Sequence, residues 1–413
     1  MPIDFPPDFT TAMNKMQTFG WHRLAVQPQM QRGLEEDVFE KTVPVASTEP
    51  NAVSQIGITQ KSFGTLKNGE EAILYTLTNK NGASVDLSTF GATITSVRVP
   101  DKNGKLVDVT QGYKDVSPYE NAPVGHAGGT IGPCANKIGG GRFKIDGKEY
   151  SLDCNKDGGK THCHGGSAGL DIKNWKAEPV KNGLKFSYVT KDGEGGYPGN
   201  VKVSVTYNWD DKNRLTVRYN AETDKDTILN LTNHSYFNLD GAENADENSV
   251  KNHIVQMPST TKYTETDELS VPTGKEIAVK GSVLDFSKPQ KLENIINSDA
   301  SEVRRTSGVD HNFCIDGYDG KSLKTAAKVK SENTGIVLTV KTNLPGFQFY
   351  TANNLGKSAQ PAGKDGKRYE KHSAFCVEPQ FYPDAVNKFA EKPILRADET
   401  YDRQIVYEFS TEK

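Results

Sequence analysis

The chain has few cysteines and no excess of basic residues, and each shortage excludes a class of protein. Its 413 residues include only five cysteines, an odd and sparse set that does not resemble a disulfide framework. Lys and Arg number 50 against 53 Asp and Glu, which gives a net charge of −3. That balance disfavours a nucleic-acid partner. Reduced thiols in a cytoplasmic protein are the simpler interpretation of the five cysteines.

Long apolar runs are also missing. The mean hydropathy is −0.64, and no segment approaches the roughly 20 apolar residues that a membrane-spanning helix needs. The N-terminus lacks the basic start and apolar core of a secretory signal. Neither a P-loop nor a dinucleotide-binding fingerprint is present. We therefore expect no membrane association and no nucleotide cofactor.

The texture of the chain changes near residue 57. Residues 1–56 contain scattered Pro and Gln with little periodicity, which predicts a flexible N-terminal extension. From residue 57 onward, short runs rich in Val, Ile, Thr, Tyr and Phe alternate with Gly, Asn and Asp clusters such as Asn81-Gly82 and Asp146-Gly147. Residues 57–413 are predicted to form one all-β domain, a large antiparallel β-sandwich with few short helices. The best helical candidate is "QKLENIIN".

Four strand-like runs carry unusual polar clusters. They are "THCHGGSAGLD", "LTNHSYFNLDG", "GVDHNFCI" and "FCVEPQFYPDAVN". Buried polar groups need partners, and buried charge is costly. These runs therefore either satisfy a polar core or build a functional site.

Taken singly, each polar residue favours a structural role, since a lone strand histidine is usually a hydrogen-bonding residue and a strand-end glutamate is usually solvated. Taken together, they include a candidate base, Glu378, and a candidate acid, His234. That set suits general acid–base chemistry on a neutral polar substrate. Asn233, Ser235 and Asn238 are expected to bond the backbone around His234.

A zinc site is the competing interpretation of the first cluster. Cys154, His162, Cys163 and His164 have the spacing C-x7-H-C-H, which matches no common zinc module. Adjacent strand residues also point to opposite faces. We therefore expect no metal.

The same clusters carry a resemblance to a known family. "GATITSVRVPDKNGKLVDVTQGY", "HGGSAGLDIKNW", "DGEGGYPGNVKVSVTY", "LTNHSYFNLDG", "VDHNFC", "LPGFQFYTANNL" and "FCVEPQFYPDAVN" are similar, in this order, to segments of the aldose 1-epimerase (galactose mutarotase) family. The similarity covers roughly residues 57 to 411. It implies a large β-sandwich with an open sugar cleft. It also implies interconversion of the α and β anomers of free aldohexoses such as galactose and glucose.

The resemblance also implies roles for individual residues. Glu378 would be the base, His234 the acid, and His164 a hydrogen-bonding partner near the anomeric centre. Asp310 would hold sugar hydroxyls. The remaining residues expected to line the cleft are Asn136, Lys137 and Gln348. No cofactor or metal is implied, and we expect a monomer or a weak dimer.

Two departures from the family pattern keep alternatives open. The family usually reads Gly-Arg-x-x-Asn-Arg where this chain has Pro133 and Lys137, and a usual aromatic pair is here His126-Ala127. Lys137 keeps the charge but loses the planar fork of arginine. One alternative is therefore a catalytically weak sugar-binding or regulatory protein. The other, a hexose-6-phosphate 1-epimerase, is disfavoured because phosphate recognition favours clustered arginines.

Overall fold

Strands dominate the computed structural model, which describes residues 41–42 (backbone only), 56–121, 125–356 and 360–412. The first strands are β1 (Lys41–Thr42), β2 (Gly57–Thr65), β3 (Glu71–Thr78), β4 (Ser84–Ser88), β5 (Thr93–Pro100) and β6 (Leu106–Asp108). Short strands follow: β7 (Thr130–Ile131), β8 (Lys137–Gly139), β9 (Arg142–Ile145), β10 (Lys148–Ser151) and β11 (Thr161–Cys163). Four longer ones come next: β12 (Lys176–Val180), β13 (Gly183–Thr190), β14 (Val201–Trp209) and β15 (Arg214–Thr223).

The second half of the chain continues in the same manner. Its strands are β16 (Thr227–Ile228), β17 (Thr232–Asn233), β18 (Ile254–Gln256), β19 (Lys262–Thr266), β20 (Pro272–Ala278), β21 (Gln290–Lys291), β22 (Asp310–Cys314), β23 (Lys324–Lys330), β24 (Ile336–Thr342), β25 (Gly346–Tyr350), β26 (Cys376–Gln380), β27 (Ile394–Leu395) and β28 (Tyr401–Thr411). The α-helices of the described ranges are short: α1 (Ser117–Asn121), α2 (Leu292–Ile296), α3 (Ser301–Thr306) and α4 (Ala385–Lys388). Single 3-10 turns occupy Gly166–Ala168, Leu170–Ile172 and Glu194–Gly196.

Three large antiparallel sheets contain most of these strands. A six-stranded sheet has the order β1-β2-β3-β4-β5-β6, and a nine-stranded sheet has the order β12-β13-β14-β15-β28-β24-β23-β18-β21. A five-stranded sheet, β20-β19-β22-β25-β26, carries two of the four polar clusters, on β22 and β26. Smaller two-stranded pairs are β10-β9, β11-β8, β16-β27 and β17-β7.

Side-chain alternation explains why the central strands form and which way they face. Along β14, alternate residues from Val201 to Trp209 are buried, while the residues between them are partly or fully exposed. This period of two places one face on the core and one towards solvent. The hairpin of β9 and β10 turns at Asp146 and Gly147, whose φ values of 49° and 83° match the positive values that a two-residue hairpin turn requires.

A shared apolar core joins the sheets into a sandwich. The cluster contains Val85 and Ile94 from the six-stranded sheet, Val217 from the nine-stranded sheet and Phe347 from the five-stranded sheet, all fully buried. Each such side chain contributes about 1.5–3 kcal/mol by its removal from water. A hydrogen bond also joins the nine-stranded sheet to the segment just before β4, since the Trp209 Nε1–H donates to the Ala83 carbonyl at 3.0 Å.

These observations confirm the predicted antiparallel β-sandwich with few short helices, and α2 lies within the predicted "QKLENIIN" segment. The predicted flexible extension, residues 1–56, lies outside the described residues apart from 41–42 and 56, and it stays a prediction. All five cysteines are free thiols. Among the helices of the described ranges, none is long and apolar enough to cross a membrane.

Candidate active site

A cavity of about 780 Å³ brings the predicted site residues together. Its walls come from strand ends and loops that are far apart in the sequence. All seven candidates line it: Asn136, Lys137, His164, His234, Asp310, Gln348 and Glu378. Of the two residues that depart from the family motif, Lys137 lines the cavity and Pro133 does not.

The register of the five-stranded sheet aligns one side of the cavity. Gln348 of β25 lies directly opposite Glu378 of β26. On its other flank, Gln348 lies opposite Asn312, two residues along β22 from Asp310. The Gln348 side-chain amide donates to Asp310 Oδ1 at 2.6 Å. Because residues opposite each other in a sheet share a face, Gln348 and Glu378 both present their side chains to the cavity.

His234 reaches the same place from a different segment. It follows β17 directly, and two backbone hydrogen bonds between Phe237 and Phe375, of 2.8 and 2.9 Å, fasten its segment to the start of β26. The Asn233 amide donates to the Gly128 carbonyl at 2.7 Å and accepts from the Ser235 hydroxyl at 2.6 Å. The polar residues around His234 thus bond nearby backbone and neighbours, as predicted.

Glu378 and His234 form a close, buried pair. Nε2 of His234 lies 3.7 Å from Oε2 of Glu378, and the side chains are only 7% and 2% exposed. Oε2 has no hydrogen-bond partner among the described residues. On the other side of the imidazole, Nδ1 lies 3.6 Å from Sγ of Cys376. Since an unpaired buried acceptor costs about 1–3 kcal/mol, Oε2 favours a ligand that can donate to it.

Burial shifts the two pKa values in opposite directions. It raises the pKa of Glu378 well above its usual value, and the neighbouring Asp310 raises it further. Burial lowers the pKa of His234 to about 3, helped by repulsion from His126. Desolvation disfavours the charged form of each group, so the pair favours a carboxylic acid beside a neutral imidazole.

His164 is held in a specific tautomer. Nδ1 of His164 accepts a hydrogen bond from the backbone N–H of Asn136 at 3.3 Å. The backbone N–H of His164 donates to the Asn136 carbonyl at 3.1 Å. A neutral ring that accepts at Nδ1 carries its proton on Nε2. Burial and the neighbouring histidines lower the pKa of His164 well below its usual value. His164 therefore presents a neutral N–H donor to the cavity.

That tautomer bears on metal binding. Ligand atoms of His164, His234 and Glu378 lie within 4.8 Å of one another, a grouping that could surround a cation. A metal needs a free imidazole lone pair, but the Nδ1 lone pair of His164 is occupied by Asn136 and its Nε2 carries the proton. The local hydrogen bonding thus favours donation to a substrate oxygen, and the expectation of no metal stays a prediction.

His162 of the competing zinc interpretation points away from the cavity. It is fully buried, with Nδ1 2.6 Å from the Asp153 carbonyl and Nε2 2.6 Å from the Tyr197 hydroxyl. Neither His162 nor Cys154 lines the cavity, whereas His164 and Cys163 do. The residues of the C-x7-H-C-H pattern are therefore divided between the cavity and the interior.

Lys137 has partners within the protein. Its ammonium group donates to Asp157 Oδ2 at 2.9 Å and to the Leu269 carbonyl. Two of its three donors are therefore engaged, and one is left for the cavity. A lysine in this setting acts as a point charge rather than the bidentate fork of an arginine.

Several cavity residues were not singled out as site residues in the sequence. Tyr236 stacks on His234 with ring centroids 5.0 Å apart, and Tyr350 meets the same ring edge-on at 6.3 Å. His126 also lines the cavity, bonded to Asp171. The sequence signal for the contact between His126 and Asp171 was the dipeptide His126-Ala127, which replaces the family's usual aromatic pair.

The fold and the cavity define a class of protein: a β-sandwich with a buried carboxyl–imidazole pair in a polar cavity. Comparison with known proteins narrows this class. The aldose 1-epimerase family profile matches residues 74–408. Galactose mutarotase of Rattus norvegicus is 39% identical over 357 residues, which are 86% of this chain and 99% of that protein. The chain belongs to the aldose 1-epimerase family.

Solved structures agree with this assignment. An aldose epimerase homologue from C. elegans is similar with a TM-score of 0.72 and 31% identity, covering 81% of this chain and 97% of its own. Galactose 1-epimerase from Lactobacillus acidophilus is similar with a TM-score of 0.74 and 25% identity. The match covers 87% of this chain and 100% of that protein's chain. The family predicted from the sequence motifs is thereby confirmed.

Proposed function

We propose that this protein is an aldose 1-epimerase that interconverts the α and β anomers of free aldohexoses such as galactose and glucose. The observation that carries the proposal is the convergence of Glu378 and His234, 3.7 Å apart, within a cavity lined by polar side chains. The hydroxyl and ring oxygens of a hemiacetal are bonded to one carbon. Two proton-transfer groups this close together can exchange protons with both oxygens from one edge of the sugar.

The reaction needs two coupled proton transfers. The Glu378 carboxylate takes the proton of the C1 hydroxyl, C1 becomes a carbonyl carbon, and its bond to the ring oxygen breaks. The ring oxygen takes a proton from the His234 imidazolium. After rotation about C1–C2, the ring oxygen attacks the other face of the carbonyl, and both protons return to their donors. Each such transfer contributes about 10²–10⁴ in rate.

The reactive ionised pair contains the same number of protons as the neutral pair that burial favours. Moving the proton from Glu378 to His234 therefore requires no exchange with solvent, only a transfer across the pair. Hydrogen bonds from sugar hydroxyls to Oε2 of Glu378, the unpaired buried acceptor, would stabilise the carboxylate form. Substrate binding thus assists the ionisation that the chemistry needs.

The other cavity residues have roles that fit this reaction. The Nε2–H of His164 donates to an oxygen near the anomeric centre, where negative charge develops. Asp310 and Gln348, already bonded to each other, hold sugar hydroxyls, and Oε1 of Gln348 is a second buried acceptor without a partner among the described residues. Asn136 fixes the His164 tautomer, and Lys137 offers its remaining donor.

A cytoplasmic location and a monomer or weak dimer complete the proposal. The five free thiols support a reducing compartment.

Polarimetry tests the proposed function directly. Freshly dissolved α-D-galactose or α-D-glucose should approach anomeric equilibrium much faster with the protein than without it. Glu378→Gln should lower kcat by about 10²–10⁴ because the base is lost, while calorimetry still detects galactose binding. Glu276→Gln, a change in a surface ion pair, serves as the control and should leave the rate unchanged.

Two results would contradict the proposal. Sugar binding by the wild-type protein without any acceleration would favour the sugar-binding alternative. A Glu378→Gln variant as fast as wild type would remove Glu378 from the base role, provided that its circular dichroism shows an intact fold.

A further inference from the structure

We propose that His126, held by Asp171 beside the two cavity histidines, is a further sugar-binding residue that donates a hydrogen bond from Nε2–H to one hydroxyl of the hexose. This inference rests on the proposed function for the identity of the ligand. His126 belongs to the dipeptide His126-Ala127 that stands in place of the family's usual aromatic pair.

The backbone at His126 is held in an uncommon conformation by its neighbours. Its φ is 61°, a left-handed value that is disfavoured for residues with a Cβ. The Gly129 N–H donates to the His126 carbonyl at 3.0 Å, which closes a turn. The Gly128 N–H donates to the carbonyl of His234 at 2.9 Å. The turn that presents His126 is therefore fastened to the backbone of the candidate acid.

The position of Asp171 depends on three glycines that leave room for it. A Cβ at Gly129 would lie 2.7 Å from Asp171 Cβ, and one at Gly169 would lie 2.8 Å from Asp171 Oδ1. A Cβ at Gly91 would lie 2.5 Å from the Asp171 carbonyl oxygen. Contacts this short to a Cβ are not found in proteins. Any larger residue at one of these three glycine positions would therefore displace Asp171.

Asp171 in turn orients the imidazole of His126. Its Oδ2 lies 2.7 Å from Nδ1, and the Asp171 side chain is only 8% exposed. Since Nδ1 donates to the carboxylate, Nε2 is the ring atom left for another partner. Burial alone would lower the pKa of His126, but the charge of Asp171 and its hydrogen bond outweigh burial and raise it, which favours a ring with two N–H donors.

The ring of His126 lies beside the rings of the two histidines that are proposed to contact the sugar. Its centroid is 4.8 Å from that of His164 and 6.1 Å from that of His234, with the two rings 29° from parallel. The His126 side chain is 37% exposed, compared with 7% for His234. A hexose that contacts His164 and His234 therefore lies within reach of Nε2 of His126.

The test compares His126→Phe, which keeps a planar ring, with His126→Gln, which keeps a donor. We expect His126→Phe to raise KM for D-galactose by about tenfold, the effect of losing one hydrogen bond to a charged donor, with kcat changed less than about threefold. His126→Gln should retain part of the affinity. Thermal unfolding of both variants establishes that they are folded.

Deoxy sugars identify the contacted hydroxyl. With 2-deoxy-, 3-deoxy-, 4-deoxy- and 6-deoxy-D-galactose, the penalty of His126→Phe should disappear for the one sugar that lacks the bonded hydroxyl and persist for the others. An unchanged KM for D-galactose would overturn the inference. An equal penalty on D-galactose and all four deoxy sugars would also overturn it, because it would show a general distortion of the cavity.

Failure of the proposed function can be separated from failure of this inference. Galactose titrated calorimetrically into Glu378→Gln and into Glu378→Gln/His126→Phe measures binding without turnover. About tenfold weaker binding by the double variant supports the sugar contact even if the wild-type protein does not accelerate anomerisation. Equal binding by the two proteins removes the contact even if the wild-type protein is a fast enzyme.

Discussion

A single physical cause, removal from water, acts on Glu378 and His234 with opposite sign. The pKa of the carboxyl rises and that of the imidazole falls to about 3, so between those two values the pair holds one proton. Loss of that proton at high pH removes the acid, and gain of a second at low pH removes the base. The window in which the pair can work is therefore wide.

This argument predicts the pH dependence of kcat/KM after subtraction of the uncatalysed rate. The acid limb should lie near pH 3, far below the usual imidazole range, and the alkaline limb should lie well above the usual carboxyl range. Asp310→Asn should move the alkaline limb to lower pH, because the charge of Asp310 helps to raise the pKa of Glu378. An acid limb near pH 6.5 would show instead that His234 titrates as an ordinary imidazole.

The residue types in the sequence suggested general acid–base chemistry, but the hydrogen-bond partners of those residues are visible only in the structure. The sequence suggested His234 and Glu378 as candidates because polar residues in strand-like runs need partners, and the family resemblance implied their roles. The tautomer of His164 was not predictable, because it depends on a backbone N–H 28 positions away. The bond between His126 and Asp171 spans 45 positions and left only an unusual dipeptide as its signal.

At the scale of elements, the loop after β11 positions His164 by three consecutive left-handed residues. The φ values of His164, Gly165 and Gly166 are 50°, 85° and 54°. A Cβ at Gly165 would lie 2.1 Å from the Gly132 carbonyl oxygen. The glycine thus lets the loop pack directly on the backbone that leads to Asn136, the partner of His164.

We expect Gly165→Ala to lower the free energy of unfolding by several kcal/mol, since it combines a left-handed φ with a backbone clash, and to lower kcat by displacing His164. Gly158→Ala is the matched control. Its φ is also positive, 67°, but nothing lies within 4 Å of its added Cβ, so the substitution should cost only about 1–2 kcal/mol. Chemical denaturation of both variants measures the difference, and equal costs would contradict the role of the clash.

Strand pattern predicts faces but not register. The alternation of apolar and polar residues along β14 is visible in the sequence and matches the alternating burial of the strand. Strands β22, β25 and β26 are buried along almost their entire length, so alternation gives no sign of which side faces the cavity. The alignment of Gln348 with Glu378 is set by pairing within the sheet, and that pairing depends on contacts distant in sequence.

At the scale of the whole molecule, the site exists only because distant segments are folded together. The contact between Cys376 and His234 joins residues 142 positions apart. Composition and periodicity are local properties, so they predicted a β-sandwich but could not place these segments side by side. The order in which the motifs resemble the family supplied that information instead.

Global stability should carry a pH signature from a carboxyl outside the cavity. Asp384, only 3% exposed, has its pKa raised by burial from 3.8 to about 6. The folded protein therefore holds this proton more tightly than the unfolded chain does. The stability that this difference contributes is present below about pH 4 and is lost as the pH rises through about 6.

The signature is read from the difference in unfolding free energy between wild type and Asp384→Asn, in which other titrating groups cancel. From about pH 4 to about pH 7, wild type should lose up to about 3 kcal/mol relative to this variant. Asp157→Asn should show the opposite slope: burial would raise the pKa of Asp157, but hydrogen bonds from Thr161 and Lys137 outweigh it and lower that pKa. Parallel pH dependences of wild type and Asp384→Asn would show that Asp384 stays ionised in the folded protein, and hence that the residues around it solvate its charge.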